Sequence, residues 1–247
     1  APYELGAWQQ LMDLSEEQAQ AWRETDLQAG VQAMTDLPVT VARDTVAACM
    51  AELLQGHGRT RRDFLYLFMD TLVGGGLVID SRLYWGRHGN AGAVASLPTA
   101  LATKLMPQAV PPQLLGVASM RQLEQRFRVN GLDPAAAYDQ RACQPPWQGE
   151  TMAWLDQAAL ALAQCIVAAT AFLDIDAVVL DGAISPDLLE LLMQRTRLAL
   201  RAYSWEGLMA QPVLELGVVG ADARALGAGL LPLHDSFSPD PALFLKS

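Results

Sequence analysis

Cysteine is scarce in this chain: three in 247 residues, Cys49, Cys143 and Cys165, widely spaced and with no C-x-x-C pair. That pattern argues against a disulfide framework or a cysteine-built zinc site, and it fits a reducing, cytoplasmic compartment. Positive charge is also short, since 17 Lys and Arg against 27 Asp and Glu leave a formal net charge of −10. Nucleic-acid affinity rests on Lys and Arg displacing counterions from phosphates, so this chain alone is not expected to hold DNA. No basic segment followed by a short apolar run opens the sequence, so no signal peptide is read. The first residue is Ala rather than Met, which leaves room for a segment upstream. The one long apolar run, MAWLDQAALALAQCIVAATAFL at 152–173, contains Asp156, Gln157 and Gln164. Those groups are costly in lipid, so the run is read as a buried helix and no membrane span is expected. Repeats and low-complexity tracts are absent.

About half of the residues are hydrophobic, enough to bury a sizeable core in one large domain or two modest lobes. Residues 15–34 read as an amphipathic helix opened by Ser15, with Glu16 and Glu17 well placed against its dipole. LPVTVA (37–42) reads as a strand, and Asp44 sits where it could cap the helix TVAACMAELL, which GHG ends. DFLYLFMD, GGGLVID and RLYWG follow as short strands joined by hairpins. From about residue 112 the pattern is helical, broken at NGLDP and CQPPWQG. DAVVLDGA, a helix from Pro186, PVLELGVVG and a helix from Ala221 then alternate as β-α-β-α, the order of a layer with parallel strands.

This order of segments, together with FLDIDAVVLDGAISPDLLELL and LGVVGADARALGAGLLPL, resembles the ROK family of bacterial sugar kinases and sugar-responsive repressors. The resemblance implies an α/β fold of the actin-like ATPase (ribonuclease H-like) class, with a mixed sheet and flanking helices. It also implies a division into a remnant of the small lobe over 1–43 and the large lobe over 44–247. The family's Asp-x-Gly-x-Thr phosphate hairpin is not seen before APYELGAW, so most of the small lobe is expected to be absent.

Carried over residue by residue, the family's sites are eroded. Its Asn-Asp pair, whose Asp is the general base on the sugar hydroxyl, reads Arg43-Asp44. Asp44 could still serve as a base, or simply cap the following helix, whereas Arg43 cannot accept a hydrogen bond as Asn does. The family's Gly-Glu-x-Gly-His pattern reads Gly92, Ala93, Val94, Ala95 and Ser96, which removes the sugar-binding carboxylate and the zinc-binding imidazole. No cysteine follows in LPTALATKLMPQAVPPQLLGVAS, so no structural zinc is expected. Leu115 falls where a further family Glu belongs, and His88 reads as a solvated loop residue. The family's Gly-Thr-Gly phosphate loop reads Asp70-Thr71-Leu72, where a carboxylate repels phosphate and a Cβ blocks close approach. The Gly74-Gly75-Gly76 that follows reads as a strand turn or bulge, and Asp181 replaces a glycine of the adenosine-side turn.

Three functions remain open: the effector-binding and dimerisation region of a ROK transcriptional regulator, a glucokinase-like sugar kinase, and a non-catalytic ROK-like oligomerisation protein. The eroded motifs favour the first, which is not an enzyme and needs no cofactor, because ligand-linked repression requires differential binding and no phosphoryl transfer. Arg43, Asp44, Tyr84 and Trp85 are the expected ligand-binding residues, suited to a small polar or anionic effector such as a sugar or sugar derivative. Tyr84 and Trp85 read equally well as the closed end of a hairpin. The expected partner is a second copy of the chain, with the helix from Met152 to about Leu173 in the core or near the contact. DNA is expected to be reached only through an upstream helix-turn-helix outside this chain.

Overall fold

The structure is a computed structural model that describes residues 14–99 and 112–237. The chain divides into two compact units, Ala1–Ala42 and Arg43–Ser247.

In the first unit, helix α1 (Glu16–Glu24) starts with a full capping box, Ser15 and Gln18 satisfying each other's backbone N–H groups. One continuous helix was expected here, but the chain turns extended at Thr25, and Asp26 caps a second helix, α2 (Leu27–Gln32). Thr and Asp both offer local hydrogen bonds that compete with the helix ladder, and Asp26 accepts from the Ala29 N–H. The strand expected over LPVTVA does not form. Its backbone is served by side chains instead: Gln32 donates to the Leu37 carbonyl and accepts from the Val39 N–H, and Gln28 donates to the Val39 carbonyl.

The second unit opens with α3 (Asp44–Gln55), ended at Gly56. Arg43 takes the cap position in extended conformation, so Asp44 is the first helical residue and not the cap expected from its position. Its carboxylate accepts only the adjacent Thr45 N–H from the backbone. Three strands follow, β1 (Phe64–Met69), β2 (Gly74–Ile79) and β3 (Arg82–Leu83), then helices α4 (Leu115–Ala118), α5 (Met120–Val129) and α6 (Gln148–Leu173). The chain finishes with β4 (Ala177–Gly182), α7 (Pro186–Leu200), β5 (Val213–Leu216) and α8 (Ala223–Phe237). The sheet order is β3-β2-β1-β4-β5, antiparallel across β3-β2-β1 and parallel across β1-β4-β5. This is the mixed sheet that the hairpin and β-α-β signals predict.

Every residue of β1 and β4 is buried, as expected of strands covered on both faces. Helices α3 and α8 pack on each other against one face so closely that a Cβ on Gly227 would lie 1.6 Å from the Ala47 carbonyl oxygen. Helices α6 and α7 pair on the other side. Helix α6 is long and apolar enough to cross a bilayer, yet Trp154, Leu155, Leu162 and Ile166 are buried in this lobe. Its polar positions face outward to partners, Asp156 to Arg195 at 2.6 Å and Gln157 to Arg126 at 2.9 Å.

The triple glycine is neither a turn nor a bulge. Gly74, Gly75 and Gly76 lie in regular register opposite Phe68, Leu67 and Tyr66. They are glycines because other atoms press on the strand: Cβ atoms there would meet Thr45 at 2.6 Å, the Tyr66 carbonyl at 2.6 Å and Cys49 at 2.5 Å.

Candidate functional site

The C-terminal ends of β1 and β4 and the starts of α3 and α8 converge, as ligand-binding edges do in open α/β sheets. Asp44 projects from the start of α3 and Asp70 follows β1. Between them lies one cation that the sequence reading did not assign, Arg224 at the start of α8. Its Nη1 is 2.5 Å from Asp70 Oδ2 and 3.6 Å from Asp44 Oδ2. The guanidinium stacks over buried Phe68, 5.3 Å from the ring centroid. The other Asp70 oxygen accepts the Thr71 N–H at 2.7 Å. Asp70 is therefore fully engaged, whereas the Asp44 side chain is 65% exposed and can still accept a hydrogen bond.

Thr71, beside Asp70, lies in a polar chain. Tyr138 donates to Glu124 at 2.7 Å, so the Thr71 hydroxyl donates to Tyr138 at 2.9 Å. Burial and the neighbouring Glu124 and Asp70 carboxylates raise the Tyr138 hydroxyl above its ordinary value, outweighing the Thr71 bond. The backbone after β1 is tied down as well. The Asp70 and Thr71 carbonyls accept the first N–H groups of α5, and Ser119 Oγ accepts the Val73 N–H.

Arg43 reaches the loop 84–96. Its Nη2 donates to the Ala91 carbonyl at 2.6 Å, while the buried Nε has no partner. Burial lowers this guanidinium from its ordinary value, with Asp44 opposing the shift. The same Ala91 donates its N–H to the Trp85 carbonyl at 3.0 Å, so Arg43 and the Trp85 backbone meet at one residue. The rings of Tyr84 and Trp85 and the imidazole of His88 are exposed. The loop is a cover for β2. Gly86, Gly89 and Gly92 have positive φ, and a Cβ on Gly92 would sit 2.7 Å from Gly76 backbone. The structure thus brings Arg43, Asp44 and Trp85 to one neighbourhood, and leaves the Tyr84 ring in solvent.

A second cluster closes the end of β4. Asp181, 1% exposed, accepts from the Tyr66 hydroxyl at 2.8 Å, from the Gly182 N–H at 2.8 Å and from the Gly220 N–H at 3.2 Å. Burial, then the Asp181 charge, raises the Tyr66 hydroxyl far above its ordinary value, which keeps it a donor. Gly217 is pressed so close that a Cβ there would meet the Asp181 carboxylate at 2.3 Å. Buried Glu52 accepts the Val218 N–H at 3.2 Å. The Val218 and Gly220 amides of this loop, which could cradle an anion, are instead turned on the protein's own carboxylates.

Two groups implied by the family resemblance can be tested against these atoms. A nucleotide triphosphate does not fit: Asp44 and Asp70 hold Arg224 beside β1, and Asp181 and Glu52 take the Gly220 and Val218 amides beside β4. Structural zinc does not fit either, since buried Val94 and its neighbours in loop 92–96 carry no ligating group. Among the described residues no group of three or more His, Cys, Asp or Glu side chains is arranged to hold a metal. The three cysteines are free, with Cys49 and Cys165 buried and their thiols pushed up by burial, Cys165 to about 12.

Sequence reading overlooked Arg224, Tyr66, Glu52 and Tyr138. Signals for two of them were present. A buried tyrosine in FLYLFM needs an acceptor, and DAVVLDGA supplies the carboxylate. Arg224 is the one cation in the small-residue run ADARALGAG.

The sheet order, the crossover helices and the converging strand ends define an α/β lobe of the actin-like ATPase class. Residues 9–109 match the model of the ROK family. The uncharacterized protein y4fQ of Sinorhizobium fredii is 29% identical over 203 residues, 82% of this chain and 48% of y4fQ, so the chain spans about half the length of that relative. A ROK family glucokinase from Streptomyces griseus, solved with glucose and AMPPNP, superposes with a TM-score of 0.67 at 21% identity, covering 83% of this chain and 71% of that one. A ROK family transcriptional regulator, a homologue of the E. coli MLC protein, superposes with a TM-score of 0.61 at 21% identity, covering 84% of this chain and 55% of that one.

Proposed function

We propose that this chain is the effector-binding and subunit-pairing region of a cytoplasmic ROK regulator that has given up phosphoryl transfer. The observation that carries this reading is Arg224, held between Asp44 and Asp70. A transferable phosphate needs unpaired donors at that point, and Arg224 is neutralised there by two carboxylates. The Asp181 carboxylate at the second loop acts in the same sense. Repression linked to a ligand tolerates both changes, because it requires only a difference in affinity between two states. The effector is a small polar or anionic molecule, a sugar derivative among the candidates, received by exposed Asp44 and the unpartnered Nε of Arg43 with Trp85 beside them. Two copies pair, and DNA is contacted through a basic helix-turn-helix carried outside this acidic chain.

A glucokinase-like activity is the second reading, favoured by the exposed Asp44 carboxylate in the position of the family's base. The test compares promoter mobility shifts and ATP-dependent phosphorylation of glucose, N-acetylglucosamine, allose and mannose by the complete gene product. Salt-sensitive DNA binding without turnover is expected. Turnover that Asp44→Asn abolishes would install the kinase reading instead.

A further inference from the structure

Arg61, Arg126, Arg141, Arg195 and Arg224 each face a carboxylate. Arg197 and Arg201, like Arg59, Arg87 and Arg128, have no carboxylate partner among the described residues, but they alone of these line a cavity together. Four positions apart at the end of α7, they are neighbours on its surface. With Trp205, Gln211, Pro212 and Leu214 they line an open cavity of about 470 Å³, and none of its lining residues is acidic. Arg197 is held in place by its Nη2, which donates to the Leu214 carbonyl at 2.9 Å, and the Trp205 ring by its Nε1, which donates to the Leu200 carbonyl at 3.4 Å. Such restraint lowers the entropy cost of engaging a ligand. Basic side chains at a helix C-terminus also offset the helix dipole. That accounts for the charge of the pair, but not for the cavity, the aromatic wall, or two unmatched cations in a chain of net charge −10.

We propose that this cavity binds a small oxyanion carried on a flat apolar body, a carboxylate or phosphate attached to an aromatic ring. Arg197 and Arg201 take the oxyanion through their N–H forks, and the ring lies against Trp205 and Pro212. The occupant is a small molecule and not an added strand. Val213 and Gly217 turn their N–H groups to β4, so Leu214 and Leu216 face the free edge of β5, where Arg197 and His57 already take their carbonyls. The site is also remote from the one described above. Pro212 and Gln211 precede β5 at the entry end of the parallel strands, while Asp70 and Asp181 lie at their exit end. It therefore stands whether or not the regulator reading holds.

Calorimetric titration of the chain with phenyl phosphate, benzoate and inorganic phosphate tests the assignment. At least one ring-bearing anion is expected to bind saturably in the submillimolar range, and whichever of the two binds tighter tells phosphate from carboxylate. Arg201→Gln is expected to weaken that binding about tenfold. This exposed change should leave the thermal midpoint of the free protein in place. Trp205→Leu should weaken the ring-bearing anions alone. The proposal is overturned if neither ring-bearing anion saturates at millimolar concentration, if inorganic phosphate binds as well as phenyl phosphate, or if folded Arg201→Gln binds like the parent.

Discussion

The two ends of the central sheet treat charge in opposite ways. At the exit end of the parallel strands, Asp44 and Asp70 share Arg224, and Asp181 and Glu52 take the amides of Gly220 and Val218. At the entry end, Arg197 and Arg201 border a cavity and have no acid to answer them among the described residues. Buried or half-buried carboxylates with internal donors hold a fold in one arrangement. Unmatched surface cations beside an aromatic wall cost little while empty and are suited to a visiting anion. The contrast teaches where donors are already answered by the protein's own carboxylates and where cations are left open: Arg224 and the Gly220 amide at the exit end belong to the first kind, and Arg197 and Arg201 at the entry end to the second.

Changes that break the closed end should have the largest effects. Asp181→Ala leaves the Tyr66 hydroxyl and the Gly220 N–H without their acceptor in a dry interior, a loss of about 3 kcal/mol. Denaturant unfolding should show it, and adding Tyr66→Phe to Asp181→Ala should recover part of the loss, since one orphaned donor is removed. Arg224→Ala exposes Asp44 and Asp70 to each other and uncovers Phe68. With the guanidinium partly exposed and screened, about 1 kcal/mol is expected, and the loss should shrink as salt is added.

How much of this was legible in the sequence depends on the range over which each choice is made. β1, β2, β4, β5 and the helices after them follow from local apolar runs and breakers. The 37–42 segment looked like a strand by the same signs, yet its hydrogen bonds go to Gln28 and Gln32, which a pattern of alternation does not show. The triple glycine was misread because its cause is the close approach of Thr45 and Cys49 from a helix earlier in the chain. In the site, Asp44 and Asp70 could be named from their place in the resemblance, but the Arg224 that answers them comes from the last helix. Only the folded topology joins them.

Smaller effects sharpen the comparison. Arg61 donates two hydrogen bonds to Glu215 and holds its carboxyl below the ordinary 4.5. A carboxyl depressed on folding adds stability above its unfolded value, and that stability is lost as pH falls through the folded one. The parent chain should therefore lose more stability than Glu215→Gln as pH drops below about 4.5, by less than about 1 kcal/mol in acid titrations followed by circular dichroism. At the entry end Arg201→Gln should change the stability of the ligand-free chain by no more than about 0.5 kcal/mol. A cation that matters to folding as much as Arg224 does would erase the distinction between the two ends.

The central proposal, that Asp44, Asp70 and Asp181 hold the donors a nucleotide would need, is tested most directly by calorimetric titration of AMPPNP with Mg²⁺ into the complete gene product. The account predicts no saturable binding at millimolar nucleotide, with or without glucose. Micromolar binding that strengthens in the presence of glucose and is lost in Asp44→Asn would contradict it.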